Sequence, residues 1–457
     1  MIVSFSVSNF RSFSSEETFS LVASNRLSGR HEEHAIPIPD STERVLRTAV
    51  LYGANGAGKS NLFKALLFVR GLVLNTRRKS GGTGREVFRF VAQANEPSCF
   101  DLQFIVEDKL YRFGFKVDDQ RIVEEWLVRI TGGREKTLYE RITDQHGEVT
   151  IDASGILDAG KKLGALAIIG GPQNQSFLAT LIATLDPLEF GSELGAIISW
   201  FSRSLRLIAP APKQTISSLG RELARNSDLL KFAGEFLKSS STGVDHLKIL
   251  KKEVSEDELR ASLSESAIAR LLASVDEGGT ARVPFGSGSE LLIERVHGDH
   301  FYLLRVQAAH ENASGDVVPL ELSDESDGTK RLLQLVPALH HLRRDTGVYF
   351  IDEIDRSLHP MLVRNCLEFF LKSCVGSQRQ LIMTTHESSL LDQDLLRRDE
   401  IWFAEKDSGG ATHLYSLMDF KVRNDLEIRK HYLQGRFGAV PFLGDPSRLP
   451  LERDQPG

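Results

Sequence analysis

Residues 51–61, Leu-Tyr-Gly-Ala-Asn-Gly-Ala-Gly-Lys-Ser-Asn, constrain this chain more than any other stretch, because Gly53 to Ser60 reads G-x-x-x-x-G-K-S, the nucleotide-binding P-loop. The flanks are those the motif requires. Thr48 to Tyr52 is a short apolar run suited to a buried parallel strand, and after Ser60 the residues Leu62, Leu66 and Val69 share one helical face. A strand, a glycine-rich turn and a helix N-terminus together aim backbone N–H groups at a polyphosphate. Gly53, Gly56 and Gly58 let the backbone wrap closely, Lys59 is placed to neutralise β/γ oxygens, and Ser60 is placed to ligate Mg²⁺. The loop from Gly53 through Asn55, Gly56, Ala57, Gly58, Lys59, Ser60 and Asn61 is therefore the candidate site for ATP or GTP.

A chain of 457 residues has room for two or three domains, and its 41 % hydrophobic and 26 % charged residues are those of a globular protein. No apolar run approaches the roughly 20 residues of a membrane helix. The N-terminus carries no secretory pattern, and three scattered cysteines make neither a disulfide framework nor a zinc cage. A reducing, cytoplasmic setting without membrane partners is the expectation. A net charge of −6 excludes a wholly basic nucleic-acid coat but not a local basic groove.

Residues 1–154 read as a strand-rich lobe around the P-loop. Ile2, Phe5 and Val7 are interleaved with serines, and Phe100, Leu102, Phe104 and Val106, then Tyr111, Phe113, Phe115 and Val117, alternate as strands. Asn9-Phe-Arg-Ser places Arg11 between two phenylalanines, where it is either a surface arginine or a nucleotide contact. The basic, glycine-rich stretch 75–85 reads as a solvated loop, with nucleic-acid contact as the lesser alternative. Residues 155–285 read as an all-helical insertion, in which Leu259, Leu263, Ala267, Leu271 and Val275 form a stripe on one helix. Its helices are too short for a long coiled-coil arm.

Residues 286–457 carry the second half of the machinery. Val348 to Glu353 is an apolar strand ending in adjacent carboxylates: Asp352 is the candidate Mg²⁺ ligand, and Glu353 the group that polarises an attacking water. Arg379 to His386 is another buried strand, whose terminal His386 is the candidate γ-phosphate sensor. Ser326, Gly328 and Thr329 open a helix, which on its own would be an ordinary N-cap. Asp392-Gln-Asp394 has the D-x-D form of a nuclease metal site, but with no separate domain around it the acids read as solvated.

This constellation resembles the ATP-binding-cassette class of the SMC, RecF, RecN and overcoming-lysogenization-defect type. The resemblance implies an α/β ABC-type P-loop ATPase head with a strand-rich N-terminal lobe and an inserted helical subdomain. It further implies that Ser326, Gly328 and Thr329 are a signature capping the γ-phosphate held by a second subunit, that Arg11 approaches the phosphates, and that Asp355 and His359 lie at the dimer interface. Gln93 is the nearest candidate for a metal-contacting Q-loop glutamine. Asp352 to Pro360, Leu395 to Phe403 and Tyr432 to Phe442 resemble the stand-alone ATPases of bacterial antiphage systems, of the abortive-infection L, RloA and PARIS types. That likeness implies ATP and Mg²⁺ as cofactors, self-association, a separately encoded effector such as a TOPRIM-like nuclease, and a phage protein or DNA as trigger. A DNA-repair or chromosome-maintenance ATPase that binds DNA itself, and a transporter motor, are the competing readings, and fold alone does not separate them.

Overall fold

The computed structural model describes residues 1–440 apart from 28, 79–80, 91–95, 160, 211–214, 275–279, 286–288, 296–299, 342–345 and 424–425. The chain has the α/β fold expected of a P-loop ATPase, and it divides into two units: Met1–Arg203 with Ile382–Gly457, and Ser204–Leu381.

The first unit holds a seven-stranded antiparallel sheet with the strand order Val149–Asp152, Arg134–Thr143, Ile122–Thr131, Lys109–Val117, Ser98–Val106, Ile2–Ser8 and Glu17–Ser20. Its register explains the alternation in the sequence. Phe5 faces Leu102, Leu102 faces Phe113, and Phe113 faces Leu127, so one buried row crosses four strands. The P-loop strand, Thr48–Tyr52, is buried throughout and pairs in parallel with Ile401–Lys406, which pairs antiparallel with Thr412–Ser416. The P-loop helix, Lys59–Leu74, buries Leu62, Leu66 and Val69 as its spacing predicts. Phe68 on this helix packs on Phe10 and Phe100 with ring centroids 5.4 and 5.3 Å away, so the helix is fixed to the sheet and to the N-terminal turn together.

The second unit holds the parallel pair Leu205–Ile208 and Gly347–Ile351, and an antiparallel sheet in the order Val244–Val254, Phe301–Glu311, Ser289–Arg295 and Thr280–Phe285. Val317–Glu321 adds to the strand Phe301–Glu311. The helix Ser227–Ser239 packs against the helix Asp327–His341 through a core that includes Leu229, Ala233, Leu237, Leu332, Leu333 and Val336.

The block 155–285 falls across both units and is not all-helical. Leu205–Ile208 and Val244–Val254 are strands within it. In the second of these, Val244, Leu247 and Leu250 recur every third residue, which imitates a helical face. The strand is instead specified by its long pairing with Phe301–Glu311, a non-local contact that local periodicity does not carry. The stripe from Leu259 to Leu271 is not one helix either, and its last member, Val275, lies outside the described residues. Glu256–Ser262 and Glu265–Ser274 are separate helices, with Leu263 extended at φ −121° and the Ser264 hydroxyl accepting from the Ala267 N–H at 3.3 Å. Serine competes with the helix for backbone bonds, so the Ser262–Ser264 stretch breaks it.

Candidate nucleotide site

In the first unit the P-loop is shaped by close backbone approach. A Cβ on Gly53 would lie 2.5 Å from the Ala404 carbonyl oxygen, and one on Gly58, at φ 111°, would run into the Thr412 side chain. Asn55 and Gly56 form the exposed tip, while Ala57, Gly58 and Lys59 are buried. Lys59 Nζ donates to the Gly53 carbonyl at 2.7 Å and the Ala54 carbonyl at 3.1 Å, and lies 3.1 Å from His386 Nε2. The ammonium is thus held over the loop, beside the histidine that is the candidate γ-phosphate sensor. The helix begun by Lys59 has no side-chain cap and no acidic residue in its first turn. Its N-terminal N–H groups and dipole suit an anion, and at Gly53 and Gly58 the loop backbone runs too close to its neighbours for a side chain, so the residues fit a Mg²⁺-bound polyphosphate with Ser60 as the metal-side hydroxyl.

Asn61 and Arg11 join this assembly. Asn61 Nδ2 donates to the Ser12 hydroxyl at 2.7 Å, and Arg11 Nη1 lies 3.5 Å from Asn61 Oδ1. Thr412 donates to the Ala57 carbonyl at 2.9 Å and sits 2.8 Å from the Ser12 hydroxyl, while the Thr412 N–H donates to the Ser12 carbonyl at 2.7 Å. The Asn9-Phe-Arg-Ser turn is therefore tied to the P-loop from two sides. Arg11 also pairs with Glu86, and its backbone is left-handed at φ 53°. Sequence reading missed Ser12, Glu86 and Thr412. Thr412 stands far along the chain in no motif, and only strand pairing brings it to Gly58. Gln93 lies outside the described residues.

In the second unit, the strand Gly347–Ile351 delivers Asp352, which is 2 % exposed and whose N–H donates to the Ile208 carbonyl at 2.9 Å. Glu353 follows with a left-handed backbone at φ 47°. This is a costly conformation for a glutamate and one that clusters at functional positions. Arg331 holds it there. This buried guanidinium donates through Nη2 to the carbonyls of Asp352 and Glu353, both at 2.9 Å, and through Nη1 to Ala209 at 3.3 Å. Burial, and then the charge of Arg356, pull the Arg331 pKa down from the usual arginine value.

Arg331 lies on the helix Asp327–His341, whose first turn holds the signature candidates. The Ser326 hydroxyl accepts from the Thr329 N–H at 3.1 Å and contacts the Thr329 hydroxyl at 2.9 Å. Thr329 is buried, whereas Ser326 and Asp327 are exposed. A Cβ on Gly328 would lie 3.0 Å from the Ser357 carbonyl oxygen, so glycine permits the loop after the acidic pair to approach. The candidate signature turn thus lies against the loop after the acidic pair, and Arg331 on the same helix bonds the acidic pair itself. Nothing in the sequence singled out Arg331, because three of its bonds go to backbone carbonyls and the fourth, from Nη1 to Gln334 Oε1 at 3.2 Å, joins two residues of one helix turn. His359 caps the helix Pro360–Ser373, its Nδ1 accepting from the Met361 N–H at 3.2 Å. Asp392 accepts from the Asp394 N–H at 2.9 Å, a local turn that agrees with the solvated reading of that D-x-D sequence.

The family described as AAA domain, putative AbiEii toxin, Type IV TA system matches residues 49–153 and 175–392, well over half of the chain. Comparison with curated proteins finds no match. Among solved structures, the SMC head domain from Thermotoga maritima is similar at 12 % identity and a TM-score of 0.36, over 91 % of this chain and 98 % of that one. An SmcHead bound to the C-winged helix domain of ScpA is similar at 17 % identity and a TM-score of 0.39, over 91 % and 97 %. The Smc head domain with an extended coiled coil bound to the C-terminal domain of ScpA, derived from Pyrococcus furiosus, is similar at 17 % identity and a TM-score of 0.32, over 91 % and 96 %.

Proposed function

The chain belongs to the AAA domain family described as putative AbiEii toxin, Type IV TA system, and from that premise we propose that it is a Mg²⁺-dependent ATPase that closes into an ATP-held dimer and licenses a separately encoded effector in antiphage defence. Lys59 and the P-loop N–H groups bind the β/γ phosphates, and Ser60 and Asp352 hold the metal. Glu353 accepts the proton of the attacking water, and His386 contacts the γ-phosphate. Bound Mg²⁺ supplies charge neutralisation on the phosphate oxygens. Ser326, Gly328 and Thr329 cap the nucleotide of the partner subunit.

The observation that carries this reading is the Arg331 group. One buried side chain bonds both carboxylate-bearing residues from the helix whose exposed first turn presents Ser326. A subunit built this way couples the state of its hydrolytic residues to the surface it offers a second subunit. A DNA-repair or chromosome-maintenance ATPase that binds DNA itself is equally compatible with the family and the fold, though without a long coiled-coil arm in this region. The described helices within 155–285 run to 13 residues at most, about 20 Å. The effector, proposed to be a TOPRIM-like nuclease, supplies the chemistry for which this chain offers no second catalytic constellation among the described residues.

The experiment is molecular mass in solution with and without ATP and Mg²⁺. Glu353→Gln should trap a species of doubled mass with ATP, and Lys59→Ala should stay at the mass of the nucleotide-free protein. A mass indifferent to ATP in Glu353→Gln would sink the ATP-held dimer.

A further inference from the structure

Away from the nucleotide residues, the loop before the strand Ala35–Pro37 brings together His31, Glu33 and His34, whose candidate ligand atoms lie within 4.8 Å of one another. The short 3-10 turn Glu32–His34 has His31 at its N-cap, with a left-handed backbone at φ 49°. Residues three apart eclipse in such a turn, and the two imidazoles stack with centroids 4.7 Å apart and planes 19° from parallel. His31 Nδ1 and His34 Nε2 face the same Glu33 oxygen, at 3.8 and 3.7 Å.

The opposite ring nitrogens are occupied. His34 Nδ1 bonds the buried Glu400 carboxylate at 3.0 and 3.2 Å, and His31 Nε2 bonds the Gln393 carbonyl at 3.0 Å. Both partners are acceptors, so each neutral imidazole donates its N–H there. The lone pairs of His31 Nδ1 and His34 Nε2 are left on the Glu33 side. An imidazole whose far N–H is anchored on a carboxylate or a carbonyl is how proteins fix the tautomer and orientation of a metal-binding histidine. Two histidines with such anchors, converging on one carboxylate, are more than an ion pair requires.

We propose that His31, Glu33 and His34 bind one Zn²⁺, or a divalent ion of the same borderline class, through Nδ1, a carboxylate oxygen and Nε2, with water in the fourth position. Two nitrogens and an oxygen suit zinc rather than Mg²⁺, which takes oxygen ligands. Tetrahedral zinc places its ligand atoms roughly 3.3 Å apart and lies in the plane of each ligating ring, so binding turns the two imidazoles out of their near-parallel stack as the spacing closes. The site is structural. It ties the loop around residues 24–34 to the segment 393–400, where Arg397 already donates to the carbonyls of Leu27 and Arg30, and Ser24 donates to Asp399. These segments are more than 360 residues apart in the chain. A metal that binds only the folded form stabilises it by mass action.

The test uses full-length, tag-free protein stripped of metal by a chelator, without nucleotide and with excess Mg²⁺ present. Zn²⁺ is titrated in competition with a chromogenic chelator, and thermal unfolding is followed with and without Zn²⁺. The expected result is one Zn²⁺ per chain and a raised Tm. His31→Gln and Glu33→Gln, both less buried than His34, should each weaken binding at least tenfold and abolish the Zn²⁺-dependent rise in Tm while leaving ATP binding intact. His34→Gln is the less decisive variant, because it strands Glu400. Absence of stoichiometric Zn²⁺, or undiminished binding in either of the two variants, overturns the three-ligand site.

Discussion

At the scale of single residues, two side chains divide the chemistry. Replacing Glu353 by glutamine removes the proposed base and should slow hydrolysis by about 10²–10⁴-fold, with ATP affinity kept; single-turnover rates and nucleotide binding measured side by side check this. Arg331 is a positioning residue and should behave differently. Arg331→Met removes the guanidinium bonds to the carbonyls of Asp352, Glu353 and Ala209, each loss costing about 1–3 kcal/mol where the carbonyl is then left unsatisfied; that of Glu353 still accepts from the Arg356 N–H at 3.1 Å. Without that clamp the left-handed conformation of Glu353 is less firmly held, so kcat should fall with little change in ATP affinity, alongside a drop in Tm. Lysine should not rescue it, since a point charge lacks the planar fork that reaches separate carbonyls. If Arg331→Lys restores the wild-type kcat, the clamp is not what sets Glu353. Residues with a motif, such as Lys59, Glu353 and His386, were legible in the sequence because their chemistry dictates residue type and spacing. Arg331 and Thr412 were not, because most of what they bond is backbone, which has no letter in the sequence, and the side-chain partner of Thr412, Ser12, is 400 residues away.

At the scale of elements, legibility followed the range of the contacts. The P-loop strand and helix could be read from the motif they flank, and Ser98–Val106 and Lys109–Val117 from a local alternation and a pairing between sequence neighbours; Ile2–Ser8 was legible from alternation although one of its partners, Ser98–Val106, is distant. The strand Val244–Val254 was hidden because its partner lies some fifty residues on, and the break between Glu256–Ser262 and Glu265–Ser274 was hidden because a leucine stripe runs across it. The same long-range packing fixes how the P-loop tolerates change. Gly58→Ala puts a methyl into Thr412, which is itself bonded to Ala57 and Ser12, and asks alanine to adopt φ 111°. Overpacking of this kind costs about 1–3 kcal/mol. A lowered Tm together with lost ATP binding is expected. Thr412→Ser should partly relieve the clash while keeping the hydroxyl, so the double variant should regain stability relative to Gly58→Ala alone. A double variant no more stable than the single one would place the strain on φ or on the Thr412 Oγ1, the atom nearest the added methyl, which serine keeps.

At the scale of the whole molecule, the question is where the energy of ATP turnover goes, since an ATPase that performs no other chemistry delivers it as a change of conformation or assembly. If each nucleotide is completed by the signature of a second subunit, a Lys59→Ala chain and a Ser326→Arg chain, each inactive alone, should regain part of the activity when mixed, because one composite site is then intact. Co-assembled, folded chains that fail to complement would place the signature on its own subunit's nucleotide. The link to an effector calls for a gentler change than deletion. Residues 220–276 supply Leu223, Leu229, Ala233, Leu237 and Leu247 to the core that seats Leu332, Leu333 and Val336 of the signature helix. Removing them would dismantle the ATPase itself. Lys231, Lys251 and Lys252 are exposed in that region, and reversing them to glutamate should leave the core, ATP binding and dimerisation unchanged. Loss of phage protection in cells carrying the neighbouring genes, with ATPase activity retained, is the expected outcome if this surface meets the effector or its trigger. Protection that persists in this variant removes the surface from the pathway, and protection by the protein without any neighbouring gene removes the separate effector.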